Sequence, residues 1–95
     1  MIKTGKDTIA KNIQNAQKTL DEARRLFEKN KIENALKEVN KSIEFNETIE
    51  AYLLRVKVYR ALGKFTLALR DCRQISQMEG YTNQKKIELA ELIGD

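Results

Sequence analysis

Apolar side chains recur along this chain at intervals of three and four residues rather than alternating with polar ones. Ile9, Ile13, Ala16, Leu20, Ala23 and Phe27 follow one another with gaps of 4, 3, 4, 3 and 4. An α-helix turns once in about 3.6 residues, so that spacing lays all six on one stripe and predicts a long helix over about residues 8 to 29, with Asp7 as its N-cap. The same seam fits a coiled coil, but it is shorter than the three to four heptads such a pairing calls for and carries Ala at two positions, so packing within the chain is expected. A second helix, about 31 to 45, places Ile32, Ala35, Leu36, Val39 and Ile43 on one face and ends at the polar Asn46-Glu47-Thr48. The third, about 49 to 62, has two stripes: Ile49, Tyr52, Leu53, Val56 and Tyr59 form one, while Ala51, Leu54, Val58 and Ala61 form the other. Such a helix must be covered from two sides, which puts it at the centre of the stack.

Gly63 supplies the left-handed residue that closes a helix, after which Phe65, Ala68, Leu69, Cys72 and Ile75 define a fourth helix to about Gln77. Gly80 and Thr82 then provide a stop and a new N-cap. A last helix over about 83 to 93 sets Ile87, Leu89, Ala90, Leu92 and Ile93 among Lys85, Lys86, Glu88 and Glu91, a composition suited to capping the stack. The expected fold class is therefore all-α, with about five helices in antiparallel hairpins.

Two of these hairpins repeat. Lys31-Ile32-Glu33-Asn34-Ala35-Leu36 matches Lys64-Phe65-Thr66-Leu67-Ala68-Leu69 at Lys, at an apolar residue and at Ala-Leu, and Ala68 lies 33 positions after Ala35. The period is within one residue of the tetratricopeptide repeat, and the chain resembles that family over about residues 16 to 80. In residues 49 to 81, Tyr52 stands at the family's Trp position, Tyr59 at its Tyr, Ala68 at its second Ala and Cys72 at its Phe, with Gly63 and Phe65 at the turn. In residues 16 to 48, Ala23, Leu26, Ile32, Ala35 and Ser42 hold the corresponding places. Departures are Val56 for a small residue, Arg55 for Leu, and Glu47 and Gly80 for the closing Pro. The resemblance implies a short solenoid, with residues 1 to 15 extending the first helix and 82 to 95 forming the cap. It also gives Ala35 and Ala68 a reason, since helices approach to about 8 to 10 Å only over short side chains.

Members of that family bind peptides in a groove lined by the first helix of each hairpin. By alignment the groove positions are Gln17, Leu20, Arg24 and Phe27, then Glu50, Leu53, Lys57 and Arg60. Arg24, Lys57 and Arg60 would offer cations beside the apolar Leu20, Phe27 and Leu53, which implies an acidic, partly apolar peptide as partner. The subgroup that clamps chaperone tails uses Lys, Asn and Arg at places held here by Leu20, Arg24, Leu54, Gln84 and Glu88. Only the charge at Arg24 survives, so a co-chaperone adaptor is a minor alternative.

Composition narrows the remaining classes. The 95 residues, 34% charged and 41% hydrophobic, suit one small domain with a modest core. There is no His and no phosphate-binding Gly-rich loop, and the one Cys, Cys72, falls on an apolar stripe, so neither catalysis nor a cofactor is expected. Glu44, Glu47 and Glu50 lack the spacing of a calcium loop and read as a solvated helix junction, with no metal expected. A single thiol without a disulfide framework fits a reducing, cytoplasmic setting, and no apolar run reaches membrane-spanning length. The net charge of +4 is concentrated between residues 55 and 73, where Arg55, Lys57, Arg60, Lys64, Arg70 and Arg73 face only Asp71. No recognition helix or base-stacking sheet accompanies it, so the stretch reads first as a solvated basic face, then as part of a peptide groove, and nucleic acid is not the expected partner. Two repeats make a small core, which leaves homo-oligomerisation or a ligand-free scaffold as structural alternatives.

Overall fold

The computed structural model describes residues 5–78. Four helices lie in this span: α1 (Gly5–Glu28), α2 (Ile32–Phe45), α3 (Ile49–Ala61) and α4 (Phe65–Ser76), with no strand among the described residues. The expected fifth helix, over about 83 to 93, lies outside them. Helix α1 already begins at Gly5, so Asp7 sits within the first turn instead of before it. The start of α3 follows the cap rule: the Thr48 side chain accepts a hydrogen bond from the Ala51 amide at 3.1 Å.

Packing is most extensive within the pairs α1–α2 and α3–α4, and α2–α3 comes next. Short connections between consecutive packed helices make neighbours antiparallel, so α1 and α3 run parallel. The two turns inside the pairs are copies of each other. Asn30 (φ 64°) and Gly63 (φ 77°), 33 positions apart, are both left-handed. Lys31 donates to the Leu26 carbonyl and Lys64 to the Tyr59 carbonyl, each at 2.8 Å, and both lysines have φ of −93°. These are the bonds by which a left-handed residue satisfies the last carbonyls of a helix. The repeat seen in the side chains is thus also a repeat of the backbone.

The core has two parts, and α3 belongs to both. One face of α3, with Ile49, Tyr52, Leu53 and Val56, packs with Ala68, Cys72 and Ile75 of α4. The other, with Ala51, Leu54 and Val58, packs with Leu20 and Ala23 of α1 and with Ala35 and Val39 of α2. Both stripes read from the sequence are therefore covered, except that Ala61 is exposed at the helix end. Ala35 and Ala68 are both buried, as expected of close helix contacts. Ser42 is buried too, and its hydroxyl donates to the Ala16 carbonyl at 2.8 Å, tying α2 to α1. The stripe of α1 is buried at Ala16, Leu20 and Ala23 and half-buried at Phe27, while Ile9 and Ile13 are 60% and 49% exposed. Helix α1 has 24 residues against 14 in α2, so its N-terminal part runs past the helix that would cover it.

Candidate functional site

Helices α1 and α3, the first helices of the two pairs, together line a cleft. Its volume is about 400 Å³, and it is lined by Arg24, Phe27 and Glu28 of α1 and by Glu50, Leu53, Leu54 and Lys57 of α3. Leu53 and Leu54 are nearly buried and make a fixed apolar floor, with Phe27 half-buried at one wall. The four charged residues are exposed. Arg24 also lies 3.5 Å from Asp21, one turn earlier on α1, in an exposed ion pair of the kind that contributes little to stability.

Of the six residues the sequence assigned to a groove, Arg24, Phe27, Leu53 and Lys57 come together here. Leu20 does not: it is 4% exposed, lies in the core with Ala23 and Ala35, and borders a small hollow of about 70 Å³ beside Ile13 and Ser42. Arg60 is partly buried and stands outside this lining, close enough to Cys72 for its charge to act on the thiol. Glu28 is a lining residue that the alignment passed over. Its place four residues after Arg24, on the same face of α1, was the available signal. Two cations and two carboxylates line the cleft, so its formal charge is balanced.

A second polar constellation lies between the helices. The Arg55 guanidinium donates twice to the Asp71 carboxylate, both bonds at 2.7 Å, and once to the Asn40 side-chain oxygen at 3.0 Å. Its guanidinium carbon sits 5.2 Å from the centre of the Tyr52 ring and 5.6 Å from that of Tyr59. Asp71 is buried, and its hydrogen bonds to Arg55 raise the Arg55 pKa against the opposing effect of burial. Three helices are joined through this one side chain. Arg55 is thus drawn out of the basic stretch into the interior; its place between Tyr52 and Tyr59 on α3, and that of Asp71 between Ala68 and Ile75 on α4, was the legible sign. The Tyr52 hydroxyl donates to Glu47 at 2.5 Å, and burial together with that bond pushes its pKa up to about 12.

Cys72 is buried, and burial, followed by the Asp71 charge, raises its pKa, which works against a reactive thiolate. Among the described residues no group of three His, Cys, Asp or Glu side chains is placed to hold a metal ion, and no helix is long and apolar enough to cross a membrane. No protein-family model, curated protein or solved structure matches the chain.

Proposed function

We propose that this chain is a non-catalytic protein-interaction module, a short solenoid of tetratricopeptide-like hairpins that holds a peptide or an exposed segment of a protein partner in the α1–α3 cleft. The observation that carries this reading is that Arg24 of α1 and Lys57 of α3, 33 positions apart, line one cleft together with the apolar Phe27, Leu53 and Leu54. An acidic side chain of the partner lies between the two cations, and an apolar neighbour covers the leucines and Phe27. Nucleic acid is a poorer fit, because the basic stretch does not form one surface. Arg55 is turned inward onto Asp71, Lys57 faces α1, and Arg70 and Arg73 are exposed on α4.

Binding of short acidic-apolar peptides from an array tests the reading. Reversing Arg24 and Lys57 to Glu should abolish most of the binding, while reversing Arg70 and Arg73 should leave it largely intact, with unchanged helical circular dichroism in both. The interaction should also weaken with salt, since exposed charges are screened over about 8 Å at physiological ionic strength. Equal losses from the two pairs would favour a diffuse basic surface instead. A second reading, self-association as a scaffold, is supported by large apolar side chains exposed on α1 and α4: Ile9 and Ile13 on the first, Phe65 and Leu69 on the second. Light scattering across a concentration series distinguishes the two.

A further inference from the structure

The cleft's carboxylates say which acidic segments it accepts, an inference that rests on the peptide-binding reading above. Along α3, Glu50 precedes Lys57 by seven residues, which at 1.5 Å per residue is about 10 Å. Along α1, Glu28 follows Arg24 by four residues, about 6 Å. The two helices are parallel, and Arg24 and Lys57 occupy the same repeat position, so the order along the lining is Glu50, then Arg24 and Lys57, then Glu28, with Asp21 beside Arg24 but outside the lining. A run of acidic residues would satisfy the centre and be repelled at both ends.

We propose that Glu28 and Glu50 are specificity-determining residues which reject polyanions and select a segment whose single acidic residue is flanked on both sides by basic ones. An extended chain advances about 3.3 Å per residue, so the flanking cations fall roughly two to three residues from the central carboxylate. Like charges brought together across an interface penalise wrong partners more than they help right ones, and the two glutamates supply that penalty. Both are exposed, so removing their charge leaves the core untouched.

The test is selection of short random peptides displayed on phage against the full chain, its Glu28→Gln/Glu50→Gln variant and its Arg24→Glu/Lys57→Glu variant, together with direct binding of poly-L-glutamate. The unaltered chain should enrich peptides with Lys or Arg on both sides of one Asp or Glu. The glutamine variant should lose the preference for basic flanks and bind poly-L-glutamate more tightly, on the order of tenfold. Equal enrichment of basic flanks by both proteins, or unchanged poly-L-glutamate binding, overturns the role of the glutamates while leaving the cleft intact. Selection of the same peptides by the Arg24→Glu/Lys57→Glu variant overturns the cleft itself, and the proposal with it.

Discussion

A guanidinium between two tyrosine rings, hydrogen-bonded to a buried aspartate, sets the polar energetics of the α3–α4 pair. Removing one member of a buried pair leaves the other charge without compensation, whereas replacing both with apolar groups is often neutral. Asp71→Ala should therefore cost about 3 kcal/mol, near the low end for such pairs because Arg55 keeps some access to water. Arg55→Met with Asp71→Ala should return to within about 1 kcal/mol of the parent in urea unfolding. Equal losses in the single and double variants would show that the pair contributes net stability rather than register. Tyr52 gives a pH signature. In the unfolded chain its phenol ionises near pH 10, but in the folded protein only near 12. The folded state thus holds the proton more tightly, and the stability this provides is complete below pH 10 and lost as pH rises to 12. The loss should be roughly 2 kcal/mol in denaturant titrations and absent from Tyr52→Phe, since that variant has no proton to release.

At the scale of the helix pairs, most of the architecture was legible because the physics is local. Three-and-four spacing placed all four described helices to within a few residues, and the double stripe of α3 correctly required cover on two sides. The start of α1 was misread because a polar residue before an apolar stripe suggests a cap, although helix can continue through it. Asn30 was missed as a left-handed turn residue, although Asn is the residue after Gly most ready to adopt that conformation. The cleft was half legible. Alignment put Arg24, Phe27, Leu53 and Lys57 on one face, but whether Leu20 lines a groove or fills the core depends on packing depth, which periodicity does not carry. Ala35 and Ala68 test the repeat directly. Leu at either position should overpack the helix contact and lower stability by roughly 1 to 3 kcal/mol, measured as a shift in the unfolding midpoint. Gly63→Ala meets no atom within 4 Å of the added Cβ, so its cost should come only from the left-handed backbone, about 1 kcal/mol.

Across the whole molecule, the sharing of α3 decides how it comes apart. Linear repeat arrays can lose one unit at a time when the coupling between neighbours is weak. Here Ile49, Tyr52, Leu53 and Val56 serve one cluster, while Ala51, Leu54 and Val58, on the same thirteen-residue helix, serve the other. Freeing either pair of helices strips one side of α3 bare, and a chain this small has little other apolar burial to set against that loss. The described helices should therefore unfold in one transition, with helical circular dichroism and tyrosine fluorescence changing together in urea. Amide exchange should be slowest in α3 and fastest in the first turns of α1, where Ile9 and Ile13 are uncovered. The same coupling fixes the cleft, because Leu20 and Ala23 of α1 pack in one cluster with Leu54 and Val58 of α3. Its walls can separate only by opening the core, so a bound peptide should slow exchange in α3 without adding helix. Two separate urea transitions, or fast exchange in α3, would mean that the pairs are independent and that the cleft between them is not held open in advance.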